Sequence, residues 1–191
     1  MTVRVVYLAG PEVFLPDAVA IGAAKKAICA RHGLEGLFPL DNALDLAGRA
    51  PPEAGRAIFR ANVALMRRAD AVIANLTPFR GPGCDPGTAF EVGFLHALGK
   101  PVFAYANTAQ GHAARVVDFF GGAVERRADG RLVDPEGLEV EDFGLVDNLM
   151  LDGAALEAGC FLSGPVPWRD RISDLGLFEE AVRRAAHFTD A

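Results

Sequence analysis

The sequence predicts a doubly wound α/β fold, a parallel sheet covered by helices on both faces. Three observations carry this. The chain opens on a β-branched run, Thr2 to Ala9, ended by Gly10-Pro11. Two later apolar runs, Asp70 to Leu76 and Pro101 to Tyr105, have the same fully buried character. Helix-period stretches with short connections separate the three, the pattern of βαβ units.

Taken in order, the Ala-rich stretch from about Leu15 to His32 reads as a helix and completes a first β-α unit. Leu37-Phe38 reads as a short strand and Ala43 to Pro52 as a loop. Glu53 to Arg68 has helical spacing through Ile58, Val63, Leu65 and Met66. Asp70 to Leu76 (DAVIANL) is the clearest second core strand. The next segment, TPFRGPGCDP, carries three prolines and two glycines and excludes regular structure; Thr88 to Leu98 then forms a helix ending at Gly99. Beyond Asn107 the pattern weakens. Arg127 to Asp134 resembles a hairpin turning at Asp129-Gly130, and Asp174 to His187 closes the chain as an amphipathic helix. No repeat or linker interrupts the 191 residues, so one domain over 1–191 is expected.

Composition narrows the function classes. A net charge of −6 supplies no basic footprint for a phosphate backbone, so a nucleic-acid polymer is not an expected ligand, whereas a small nucleoside remains one. Cys29, Cys84 and Cys160 are odd in number and widely spaced, which suggests neither a disulfide framework nor a metal site. This, the absence of a basic region leading into a signal-peptide core, and the lack of any apolar run of spanning length predict a cytoplasmic protein without membrane insertion. Gly81-Pro82-Gly83 is not followed by G-K-[ST], and Leu8-Ala9-Gly10-Pro11 lacks G-x-G-x-x-G spacing, so triphosphate and dinucleotide sites are not predicted. His32, His96, His112 and His187 are scattered, and none is assigned to catalysis or to a metal.

In a doubly wound sheet, ligands sit beyond the carboxyl ends of the strands. Three loops fall there: Gly10 to Phe14, Thr77 to Gly87 and Asn107 to Gly111. Asp85 and Glu91 flank a helix start in the second region, and converge only if the helix N-terminus points into the pocket. Paired carboxylates suit glycosyl transfer, one attacking the anomeric carbon while the other manages the leaving group's proton. Each residue also has a plain reading. A lone Glu on a helix is usually solvated, an Asp ahead of a helix is more often a cap than an acid, and a Tyr ending a core strand is equally often core. Glu91 stands out because Phe90, Val92, Phe94 and Leu95 surround it with apolar side chains and Gly87 and Gly93 are small. A buried carboxylate needs a partner, for which Tyr7 is placed.

Tyr7-Leu8-Ala9-Gly10-Pro11, Asp70 to Leu76, Asp85-Pro86-Gly87-Thr88-Ala89-Phe90-Glu91-Val92-Gly93 and Asp147-Asn148-Leu149-Met150 together resemble the nucleoside 2-deoxyribosyltransferases. The resemblance covers about the first 105 residues in order, plus the short late motif. It implies a flavodoxin-like sheet, with Glu91 as the nucleophile that forms a deoxyribosyl ester and Tyr7 as the phenol that orients it. It makes Asp85 the carboxylate that contacts the nucleobase and handles its proton. Gly10, Phe14 and Gly87 would line the pocket. Asn62 stands where some members have Asp; an amide does not ionise, so only binding or support is implied for it. Asn148 matches an amide that reaches into a neighbouring subunit's site toward the sugar 5'-hydroxyl, which implies a homo-oligomer with shared sites. The substrates implied are a 2'-deoxynucleoside and a free nucleobase, in a ping-pong cycle with net retention that requires no cofactor.

Two alternatives share the fold. One is a hydrolase of 2'-deoxynucleosides or their 5'-monophosphates; Asp147 beside the 5' position argues against a phosphate dianion there, but water can replace the accepting base. The other, a non-catalytic nucleotide-binding module, is disfavoured by the joint presence of Tyr7, Asp85 and Glu91.

Overall fold

A computed structural model describes residues 2–42, 44–157 and 159–189. Its central sheet is built from β1 (Val5–Ala9), β2 (Glu35–Leu37), β3 (Ala71–Asn75), β4 (Val102–Ala106) and β8 (Gly159–Ser163), all parallel, in the order β2-β1-β3-β4-β8. The order reverses direction between β1 and β3. That is the switch point of a flavodoxin-like sheet, where the carboxyl ends of the strands open a crevice.

Period-2 alternation along the strands divides the core into two layers. Val6, Leu8, Ile73, Phe103 and Tyr105 pack against α1 (Ala18–Arg31) and α6 (Gly176–Ala186). Tyr7, Ala9, Val72, Ala74, Val102 and Ala104 pack on the other face, against α2 (Pro51–Arg68), α3 (Pro86–Ala97) and α5 (Leu149–Glu157). Tyr7 thus faces the layer that contains α3, and Tyr105 the layer that contains α1.

The expected helices and strands occur with ends moved by a few residues. α3 begins at Pro86 because Pro fits the first helical turn, where no N–H is needed, and Asp85 caps it by accepting the Thr88 N–H. The turn expected at Asp129-Gly130 joins β5 (Glu125–Arg126) to β6 (Leu132–Val133), and β7 (Glu139–Val140) adds a third antiparallel strand. This small sheet packs its Leu132 and Val140 with Val116 of α4 (His112–Phe119). α4, α5, β7 and β8 were not anticipated from the sequence. No helix among the described residues is long and apolar enough to cross a membrane.

Candidate active site

β1 delivers Tyr7 and Gly10, and α3 delivers Asp85 and Glu91, to the two sides of the switch-point crevice. A cavity of about 250 Å³ opens there, lined by Gly10, Phe14, Asn62, Asp85, Gly87 and Glu91, with Thr88, Leu40 and Ile58 among its other walls. Six of the eight residues singled out in the sequence therefore share one wall, and a seventh, Tyr7, bonds to it from behind.

The Tyr7 hydroxyl donates to Glu91 Oε1 at 2.5 Å. Tyr7 is fully buried. Burial, reinforced by the neighbouring Glu91 charge, holds its phenol well above the ordinary tyrosine range, so it stays a donor. Burial pushes the Glu91 carboxyl up to about 7, against the Tyr7 hydrogen bond, which pulls it down; Asp85 and Glu12 add to the rise and Lys25 opposes it. Glu91 is half-buried, and its hydrogen bond to the fully buried Tyr7 sets it apart from a freely solvated surface carboxylate.

Asp85 is a cap and a pocket wall at once. Its Oδ2 accepts from the Thr88 backbone N–H at 2.9 Å and from Thr88 Oγ1 at 3.0 Å. Fixing one oxygen in this way orients the carboxyl toward the cavity it lines. Asn62, on α2, accepts from Asn42 Nδ2 at 3.3 Å. Phe14, in the cavity wall, is 55% exposed and stacks on Phe79, centroids 5.3 Å apart at 16°, with the Arg80 guanidinium over both rings.

Asn148 is not in this wall. Its Nδ2 donates to Glu141 Oε2 at 3.0 Å, and its carbonyl accepts from the first turn of α5. Asp147 corrects an expectation. It is 3% exposed and bonded to Arg115 at 3.0 Å, while Arg115 also donates to the Pro82, Gln110 and Val146 carbonyls. A buried, neutralised acid exerts little repulsion on a 5'-phosphate, so the charge argument against nucleotides does not hold.

Sequence reasoning missed Glu12, Lys25, Asn75 and Tyr105, a buried polar cluster directly behind Gly10. The available signal was the one that marked Glu91, a carboxylate among apolar neighbours, here Val13, Phe14 and Leu15.

Comparison with known proteins identifies relatives of the chain. Residues 6–150 match the model of the family described as nucleoside 2-deoxyribosyltransferase. The chain is 35% identical to the solved 2-desoxiribosyltransferase of Leishmania mexicana, with a TM-score of 0.58 over 78% of this chain and 85% of that one. It is 33% identical to an uncharacterized protein of Schizosaccharomyces pombe, over 83% of this chain and 80% of the relative. A conserved protein of Enterococcus faecalis, at 22% identity and a TM-score of 0.54 over 85% of this chain and 92% of its own, shares the fold. By the family match over most of its length and the identity to a solved member, this chain belongs to the nucleoside 2-deoxyribosyltransferase family.

Proposed function

We propose that the protein exchanges the nucleobase of 2'-deoxynucleosides through a deoxyribosyl ester on Glu91, with net retention at C1'. The observation that carries this reading is the 2.5 Å Tyr7–Glu91 hydrogen bond at the wall of a cavity that Asp85 also lines. Tyr7 holds Oε1, leaving Oε2 to bond to C1'. The C1'–N bond breaks as that bond forms, its electron pair goes to the base nitrogen, and Asp85 manages the proton the base takes up. An incoming base reverses each step. A 2-deoxy sugar lacks the electron-withdrawing 2-hydroxyl, so its oxocarbenium-like transition state is within reach of two carboxyl groups.

Purified protein incubated with deoxyinosine or thymidine, with and without a free acceptor base, tests the reading. New nucleoside in the chromatogram supports transfer; free base and deoxyribose alone, even with acceptor present, would refute it. Because Asp147 is paired with Arg115, hydrolysis of 5'-monophosphates is the second reading, and the same assay run on thymidine 5'-monophosphate separates the two.

Attack requires the Glu91 carboxylate, so activity should rise with pH through a midpoint of about 7. The Tyr7 hydrogen bond lowers that midpoint. In Tyr7→Phe the acid limb is expected to move to higher pH, by roughly one unit, which a pH profile of base exchange will read.

The active form is proposed to be a homo-oligomer in which Asn148 serves a neighbour's site, working in nucleoside salvage in the cytoplasm. Exposed Ile58, Phe59 and Phe90 beside the pocket support association, since Phe59, Phe90 and Phe94 form a continuous aromatic row on α2 and α3. Mixing inactive Glu91→Ala and Asn148→Ala chains in equal amounts should restore about a quarter of parental activity if the unit is a two-fold dimer. Absence of recovery in verified mixed oligomers would refute sharing.

A further inference from the structure

Behind the pocket wall, the buried cluster around Glu12 has no part in the reaction as drawn. Lys25 Nζ lies 2.7 Å from Glu12 Oε1, and both side chains have zero exposure. Asn75 Nδ2 at 3.1 Å and Tyr105 Oη at 2.9 Å donate to the same oxygen. The other oxygen, Oε2, is buried without a hydrogen-bond partner among the described residues. It lies against Gly10, where an added Cβ would stand 2.0 Å from it, and Gly10 is part of the pocket wall. Stability is a weak reason for such a pair, because apolar side chains of similar volume often replace a buried ion pair at no cost.

The orientation of the pair is the informative feature. Lys25 rests on the rings of Phe178 and Tyr105, 4.7 and 5.9 Å from their centroids, in the layer of α1 and α6. Glu91 projects from α3 in the opposite layer. Glu12 occupies the carboxyl edge of the sheet between them, so the negative end of the pair is the end nearer the pocket. In keeping with this, Glu12 acts on the Glu91 carboxyl more strongly than Lys25 does, and in the opposite sense.

We propose that the Glu12–Lys25 pair is a fixed dipole whose negative end stabilises the positive charge that builds on the sugar ring as the glycosidic bond breaks. Glu12 is then a positioning residue that acts across Gly10 without touching substrate. A charge held by three donors in a dry interior needs no reorganisation as the transition state forms, which is the condition under which electrostatic support is strongest. The proposal rests on the deoxyribosyl-transfer reading. The charged and titratable groups acting on Glu91 are Tyr7 from β1, Asp85 ahead of α3, Glu12 after β1 and Lys25 on α1.

Glu12→Gln keeps the acceptor for Lys25, Asn75 and Tyr105 and removes the charge. The kcat of base exchange on its pH-independent plateau should fall about tenfold with KM within about twofold of the parent. The Glu91 carboxyl, followed by NMR of 13C-labelled glutamate without substrate, should titrate at lower pH than in the parent. An unchanged kcat, a KM that rises in step with the loss, or a Glu91 titration that does not move would each overturn the proposal. If Glu12→Gln does not fold, the neutral pair Glu12→Gln/Lys25→Met is read in the same way. The substrate-free titration reports the dipole's field even if Glu91→Ala retains activity and another nucleophile must be sought, so the two failures are distinguishable.

Discussion

Glu91→Gln is expected to lose base exchange by about 1,000-fold or more while becoming harder to unfold above neutral pH. The first effect follows from replacing the carboxylate proposed to attack C1' with an amide. The second follows from burial, which raises Glu91 from 4.5 to about 7. A group raised in this way favours the fold fully below its unfolded value, and that contribution is lost as pH rises through 7. Above that, the ionised carboxylate opposes folding by at most about 3 kcal/mol. Urea unfolding should therefore show Glu91→Gln more stable than the parent at pH 8 and little different at pH 5. Equal stability at both values would mean that the carboxyl is not buried as described, and retained exchange would remove Glu91 from the mechanism.

Gly10→Ala is expected to be among the most damaging single-methyl additions in the chain. Its Cβ would stand 2.0 Å from Glu12 Oε2 and 2.9 Å from Asn75 Cβ. Neither neighbour yields easily: Glu12 is held by Lys25, Asn75 and Tyr105, and Asn75 Oδ1 accepts from both the Thr77 N–H and its hydroxyl. Displacing Glu12 separates a buried pair, a loss of about 3–5 kcal/mol. A shift of the urea midpoint measures it. Gly93→Ala is the matched control, because a Cβ there meets nothing within 4 Å and Ala is about 1 kcal/mol the better helix former. Similar losses in both variants would show that the clash at Gly10 is not the cause.

The parts of the fold that were readable from the sequence are those whose hydrophobic pattern is set locally. β1, β3 and β4 are buried along nearly their whole length and so read as continuous apolar runs. β8, Gly-Cys-Phe-Leu-Ser, has no β-branched residue, and it is a strand because its register along β4 makes it one. α5 carries leucines and alanines on several sides and a glycine inside, so no apolar stripe marks it. The site divides in the same way. Glu91 and Asp85 stood out because a short motif holds both, and Tyr7 because it lies in a core strand next to the first loop. Glu12 carries the same local mark as Glu91, apolar neighbours, but its partners Lys25, Asn75 and Tyr105 lie far along the chain and only folding brings them to one oxygen. Asp147 was misread for the converse reason, since its partner Arg115 lies 32 residues earlier, on a helix that the sequence did not announce.

The size of the cavity constrains traffic through it. At about 250 Å³ it falls below the roughly 300–1,000 Å³ of ordinary ligand clefts, and Phe14 in its wall is stacked on Phe79. On the proposed reaction, a space of this size suits one heterocycle beside a sugar better than two. If the protein exchanges bases there as proposed, the departing base leaves before its successor enters, and excess free base should compete with the donor nucleoside for the same space. Under that proposal, turnover depends on the order of exits and entries as well as on the chemistry proposed for Glu91.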